Sequence, residues 1–140
     1  MIGECKSIKP YLMFNRDCEE AFHLYQRAFQ GEMVAIQKYG EMPPNREFPL
    51  AEDDKKLVLH AQLKLTESGY VMGYDGNRDI QNGEKVCISV EIDSEDRARN
   101  AWNLLKEGGS IHMDLQETFF SKLHGSLKDR YGVTWMFTVM

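Results

Sequence analysis

Two stretches of this chain carry the same helical pattern, and this repeat restricts the possible folds more than any other feature of the sequence. Asp17 gives a helix N-terminus signal before one apolar face, and Asp93-Ser94 gives another before a second face. Because matching helix faces arise easily by coincidence, the repeat gains weight only if the surrounding elements follow the same order. At an offset of 77 residues the matched positions are Ala21 with Ala98, Leu24 with Ala101, Tyr25 with Trp102, Ala28 with Leu105 and Gly31 with Gly108.

Strand patterns surround both helices in the same order. Apolar runs predict four strands in each half, at Ile8–Phe14, Met33–Tyr39, Leu57–Leu65 and Tyr70–Tyr74, and again at Val86–Ile92, Ile111–Phe119, Leu123–Arg130 and Thr134–Met140. The sequence therefore predicts an α+β fold built from two β-α-β-β-β modules. We place the first module at about residues 8–75 and the second at about 86–140, within one domain that spans residues 1–140.

Composition and charge argue against several classes of function. A formal net charge of -5 without a basic patch argues against nucleic acid as a partner. No apolar run approaches the roughly 18 residues of a membrane span, and the start of the chain lacks the apolar core of a signal peptide. We therefore expect a cytoplasmic protein without a membrane partner, whose three widely spaced cysteines are free thiols: Cys5, Cys18 and Cys87.

The period of two in each strand predicts which side chains face the helices and which line a hollow enclosed by the sheets. Purely aliphatic sets should face the helices: Val86, Ile88 and Val90, then Leu57, Leu59, Ala61, Leu63 and Leu65, and finally Ile111, Met113 and Leu115. The alternate residues should line the hollow, among them Val58, His60, Gln62, Lys64, Ser89, Glu91, Gln116 and Met136.

Six short segments, in order along nearly the whole chain, carry a family resemblance: Pro10–Phe14, Tyr39–Pro43, Leu59–Ala61, Met72–Asp75, Gln116–Phe120 and Tyr131–Met136. They resemble the PhnB-like members of the glyoxalase/bleomycin-resistance/dioxygenase superfamily, also called vicinal oxygen chelate proteins. The resemblance implies paired βαβββ modules, a curled mixed sheet around a cup, helices outside, and a homodimer. Some members of this group carry a ubiquinone methyltransferase description, but no glycine-rich turn follows the first predicted strand here.

Metal-dependent members of that superfamily hold a divalent ion with His and Glu or Gln side chains. The positions that the resemblance assigns to these ligands are Pro10, Met72, Lys85 and Met136 in this chain. Proline has no donor side chain, thioethers favour soft metals, and a lysine would have to lose its proton. We therefore expect no metal at the usual site and no cofactor.

The side chains expected in the hollow are typical of a small-molecule site, in which an apolar wall carries a few convergent polar groups. The polar set comprises His60, Gln62, Ser89, Glu91 and Gln116, and the wall comprises Leu12, Phe14, Met72 and Met136. His60 is the candidate catalytic residue, as a general base, if Glu91 or Gln116 orients its second ring nitrogen. A histidine on a sheet face is more often only hydrogen-bonded.

Three functions fit these observations. One is a dimeric protein that binds a cationic or aromatic organic molecule without metal, as the resemblance to bleomycin-resistance proteins implies. Another is a lyase, isomerase or dioxygenase that uses a relocated metal or His60. The last is a structural dimer whose cup is filled by its own side chains. The irregular stretch from Glu41 to Lys56 is either a lid over the cup or a loop without that role.

Overall fold

The predicted elements are present, with ends that differ from the predicted ones by at most three residues. A computed structural model describes residues 3–47, 49–76 and 78–140. Its helices and strands are β1 (Tyr11–Phe14), α1 (Cys18–Phe29), β2 (Glu32–Lys38), β3 (Val58–Lys64), β4 (Tyr70–Asp75), β5 (Ile88–Glu91), α2 (Glu95–Lys106), β6 (Ser110–Gln116), β7 (Leu123–Lys128) and β8 (Thr134–Val139). The predicted α+β class and the repeated βαβββ order are confirmed.

The two halves form two sheets with the same topology. The first sheet has the order β1-β4-β3-β2 and the second has the order β5-β8-β7-β6. In each sheet the first strand of the module runs parallel to the last one, and the remaining neighbours are antiparallel. The structure thus has two four-stranded mixed sheets, and no strand pairing joins them in the part of the chain described.

Both helices lie in one core that the two sheets share. Tyr25 of α1 packs on Trp135 of β8 with ring centroids 5.0 Å apart, and Trp102 of α2 packs on Phe137 at 5.6 Å. The apolar helix faces that repeat along the sequence also meet each other in this core. The helices therefore lie on one face of each sheet. Each sheet turns outward the face that is opposite the helices, which we call its open face.

Two bulges change the predicted faces of the strands. Leu59 has no partner in the register between β2 and β3, so Val58 is buried on the helix side while His60, Gln62 and Lys64 occupy the open face. In β6 the register skips His112, which puts Ile111 opposite buried Leu127 but Met113 opposite half-buried Ser126. The expectation that Ile111, Met113 and Leu115 share one face is therefore wrong. A bulge adds one residue and reverses the parity of every residue after it.

Two buried aspartates connect distant parts of the fold. Asp75 at the end of β4 accepts hydrogen bonds from the backbone amides of Cys18 and Val58, at 2.9 and 2.8 Å. Asp129 accepts from the Tyr25 hydroxyl at 2.6 Å and from the Trp135 indole at 2.9 Å, and also from two backbone amides of the β7–β8 turn. Each carboxylate thus joins a helix to a sheet or a turn.

None of the helices in the described ranges combines the length and apolarity needed to cross a membrane. The three cysteines are free thiols: Cys18 is buried as the first residue of α1, and Cys5 and Cys87 are exposed.

Candidate functional site

The structure divides the predicted site residues among three places. His60, Gln62 and Met72 lie on the open face of the first sheet. Ser89, Glu91, Met136 and Gln116 belong to the open face of the second sheet. Leu12 and Phe14 instead face the helices, because their register partners are Gly73 and Asp75 on the buried side of β4. Phe14 is 2% exposed and packs on Phe22 of α1, so neither residue forms a wall of an open face.

A groove of about 920 Å³ brings three of the predicted residues together. Gln62 of β3 lies on one side of this groove, and Ser89 and Glu91 of β5 lie on the other. Its volume is within the range of small-molecule sites, which is roughly 300–1,000 Å³. His60, Gln116, Met72 and Met136 are not among its lining residues. The polar set predicted from strand parity is therefore only partly assembled within one chain.

Charged groups of both signs surround the groove. Lys9 and Lys64 line it together with Glu32 and Glu91. The ammonium group of Lys9 lies 5.4 Å from the centre of the Tyr70 ring, which also lines the groove. A cation over an aromatic face makes a favourable cation–π interaction, so the Tyr70 ring can bind a positively charged group.

An aromatic cluster forms on the open face of the first sheet next to Gln62. The ring of Tyr11 makes edge contacts with Tyr74 at 5.3 Å and with His60 at 5.9 Å between centroids. The Tyr11 hydroxyl lies 3.0 Å from Nδ1 of His60. Burial, followed by the neighbouring Tyr74, raises the pKa of Tyr11, so its phenol keeps its proton. Tyr11, rather than Glu91 or Gln116, is therefore the residue that orients His60.

The second sheet carries a matching histidine that the sequence pattern did not single out. Nδ1 of His124 lies 3.0 Å from the Thr138 hydroxyl, and the Phe120 ring packs against the imidazole at 5.1 Å. His124 occupies the place in β7 that His60 occupies in β3. In its predicted strand the polar residues His124, Ser126 and Lys128 alternate with small or apolar ones. This period of two could have placed His124 on the open face.

The residues at the usual metal positions do not fit a hard divalent ion. Met72 and Met136 offer thioethers, Pro10 offers no side-chain donor, and Lys85 lies exposed ahead of β5. Across the described ranges, no three His, Cys, Asp or Glu side chains come close enough to hold a metal ion.

The described residues of the loop between β2 and β3 do not line the groove. It is fastened at its base by hydrogen bonds from Tyr39 N to Leu57 O and from Gly40 N to Lys55 O, both 2.9 Å. Arg16 next to α1 forms a 2.8 Å ion pair with Asp54 of the loop. The sequence left two interpretations of residues 41–56, a lid over the cup or a loop without that role. The described residues give no support to a lid on the groove. Phe48 of this stretch lies outside the described residues.

Paired βαβββ modules with this strand order define the glyoxalase/bleomycin-resistance/dioxygenase, or vicinal oxygen chelate, class of proteins. FosX, a fosfomycin resistance protein from Listeria monocytogenes, has the same fold, with a TM-score of 0.62 at 10% identity over 97% of this chain and 94% of that one. A family described as 3-demethylubiquinone-9 3-methyltransferase matches residues 6–138. The chain belongs to this family, whose members include PhnB-like proteins.

Individual relatives agree with this assignment. Protein PA1353 from Pseudomonas aeruginosa is 32% identical, with a TM-score of 0.83 over 96% of this chain and 98% of that one. A PhnB protein from Bacillus cereus, titled a putative 3-demethylubiquinone-9 3-methyltransferase, is 30% identical, with a TM-score of 0.78 over 96% and 100% of the two chains. Protein YjdN from Escherichia coli is 26% identical over 144 residues, which is 95% of each chain.

Proposed function

We propose that this protein binds a small organic molecule without the metal of its superfamily. The observation that carries the proposal is the groove in which Gln62, Ser89 and Glu91 meet beside Tyr70. Convergent polar groups next to an aromatic surface are the common form of a small-molecule site.

The groove, together with the open face of the first sheet beside it, favours a ligand with an aromatic or cationic part. Tyr11, Tyr74 and Met72 offer an aromatic and thioether surface on the open face. Glu91 offers a carboxylate, and the Lys9 ammonium already lies over the Tyr70 ring. A ligand cation could replace that ammonium at the ring and gain the carboxylate as a counter-ion.

Methyl transfer, named in the family description, is not part of the proposal. A methyl-donor nucleotide is commonly held by a glycine-rich turn after the first strand. Here Asn15, Arg16 and Asp17 join β1 to α1. Arg16 adopts a φ of 72° there without any glycine.

We infer further that a second copy of the chain covers the open faces. Both faces lie outside the core, so a ligand resting on the Tyr11 and Tyr74 surface is open to solvent on one side. β1 and β5 are edge strands whose outer sides have no strand partner in the described residues. Phe119 is fully exposed and Phe120 half exposed beside His124, so apolar surface continues along the rim of the second sheet.

Thermal denaturation in the presence of cationic aromatic compounds, including cationic antibiotics, tests the binding function. A ligand at about 100 times its Kd stabilises the folded state by about 2.7 kcal/mol, which raises Tm by several degrees. Glu91→Gln should weaken the response to cations. Glu107→Gln changes an exposed carboxylate at the end of α2 and should leave the response unchanged. If none of these compounds raises Tm at high concentration, the proposal fails.

The alternative function is a lyase, isomerase or dioxygenase of the same superfamily, acting through His60 or a relocated metal. The hydrogen bond between Tyr11 and His60 favours it, because it orients an imidazole on an open face, where a ring N–H can act as a general acid. Elemental analysis of the purified protein, with Ni²⁺, Co²⁺ and Mn²⁺ added back, separates the two. Stoichiometric metal that is lost in His60→Ala would favour the enzyme over the metal-free binding protein.

A further inference from the structure

The partner on one imidazole nitrogen decides what the other nitrogen offers to a ligand. A neutral imidazole has one N–H donor and one acceptor nitrogen. Nδ1 of His60 lies 3.0 Å from the Tyr11 hydroxyl. A phenol that keeps its proton can donate it to Nδ1, which is the acceptor that Tyr11 contacts within the described residues. When Tyr11 donates to Nδ1, the ring proton must be on Nε2.

Nε2 of His60 is accessible on the open face. The ring makes its one hydrogen bond to the described part of the chain through Nδ1. Among those residues no buried side-chain nitrogen or oxygen lacks a partner, so Nε2 must reach solvent. The side chain is only half-buried, and the surface beside it is the aromatic pair of Tyr11 and Tyr74.

We propose that Tyr11 is a positioning residue that holds His60 with its proton on Nε2, and that this N–H donates a hydrogen bond to an acceptor oxygen of the bound molecule. This inference rests on the proposed ligand-binding function and adds a chemical requirement to it. The ligand carries a carbonyl or carboxylate oxygen next to the part that packs on Tyr11 and Tyr74. In this state His60 acts as a donor, and Nε2 accepts no proton from the ligand.

The second module repeats the arrangement with different residues. A hydroxyl again lies beside Nδ1, since the Thr138 hydroxyl is 3.0 Å from Nδ1 of His124. This hydroxyl comes from β8, the last strand of its module, whereas that of Tyr11 comes from β1, the first strand. An aromatic ring, that of Phe120, again packs on the imidazole. Two unrelated residues, Tyr11 and Thr138, therefore place a hydroxyl on the same nitrogen of equivalent histidines.

Histidine ¹⁵N chemical shifts, measured by NMR on the full chain at about pH 8, test the proton position directly. We expect His60 to carry its proton on Nε2 with no detectable Nδ1–H form. In Tyr11→Phe, which keeps the ring on Tyr74, the Nδ1–H form should become detectable. Thr138→Val should leave His60 unchanged. A proton on Nδ1 in the original protein, or unchanged His60 shifts in Tyr11→Phe, would overturn the proposal.

The same spectra with added probes test the ligand oxygen. Acetophenone and benzoate, at millimolar concentration, should shift the Nε2 resonance of His60 in the original protein and bind more weakly to His60→Phe. Benzylamine, which has the ring but no acceptor oxygen, should not shift it. No Nε2 shift with either oxygen-bearing probe overturns the oxygen assignment. Benzylamine binding at Glu91 in that case would still uphold the proposed ligand-binding function, so the two failures are distinguishable.

Discussion

Cys18 and Tyr25 are two buried residues that make the stability of the fold depend on alkaline pH. Cys18 is fully buried, and burial, with the nearby charge of Asp75, raises its pKa well above the usual range. Burial and the charge of Asp129 likewise raise the pKa of Tyr25. In both cases the folded state holds a proton that the unfolded state releases first. Stability is therefore complete below the unfolded pKa values and declines as pH rises above them.

This linkage predicts the onset of alkaline unfolding. The free energy of unfolding should fall from about pH 8.5, where an unfolded cysteine ionises, and more steeply above about pH 10, where tyrosine joins it. Each group contributes at most about 1.4 kcal/mol per pH unit. Denaturant unfolding across this range should show a flatter first phase in Cys18→Ala. Cys5→Ala alters an exposed thiol and should keep the original profile. An equal slope in both variants would contradict the assignment.

Among the elements, α1 depends on a distant residue for the start of its first turn. The sequence predicts Asp17 as its N-cap, but the Asp17 side chain makes no capping hydrogen bond. Asp75 of β4 accepts from the first helical amide instead, and also from Val58 of β3. In α2 the predicted cap is confirmed, because the Ser94 hydroxyl accepts from the Arg97 amide at 3.3 Å. The first helix is therefore anchored by the sheet, whereas the second is capped locally.

Alanine substitutions should separate these two aspartates. Asp75→Ala leaves two buried amides without an acceptor and should lower the free energy of unfolding by about 3 kcal/mol. Asp17→Ala should change the free energy of unfolding by less than about 0.5 kcal/mol, because no capping bond is lost. Burial raises the pKa of Asp17, so its ionised side chain does not add to the stability of the fold. Chemical denaturation of both variants measures the difference. A larger loss for Asp17→Ala would show that the local cap, rather than Asp75, holds the helix.

At the scale of the whole molecule, two outward open faces and an exposed aromatic rim predict a homodimer in solution. Replacing both Phe119 and Phe120 with serine removes apolar surface that the chain leaves exposed. We expect this variant to shift toward monomer in sedimentation analysis at low concentration, with the fold intact by circular dichroism. Val86→Ser changes an exposed valine ahead of β5 and serves as the control. A monomeric original protein would reject the dimer, and an unchanged dimer in the double variant would exclude the rim from the interface.

Much of the fold follows from the sequence because its signals are local. Helix faces with Tyr25 and Trp102 at matching positions, and strands with a period of two, report burial within one element. The burial of Trp135, Phe137 and Val139 in alternate positions of β8 is the direct result. The order of elements, and hence the two modules, could therefore be predicted without any tertiary information.

The candidate site was only partly predictable, because its residues depend on contacts between elements. The bulge at Leu59 reverses the parity of Val58, and register with β4 directs Leu12 and Phe14 into the core. Nothing in the spacing of Tyr11 and His60 indicates that their side chains meet across β4, 49 residues apart.

The sequence by itself determined the two modules, the helix faces and the positions of the strands, since each is set by the period of burial along a short segment. Only the tertiary structure decided that the helices share one core between separate sheets, that Asp75 caps α1, and that Tyr11 governs His60. These features depend on strand register and on packing between distant segments, and a local pattern of apolar residues does not encode either.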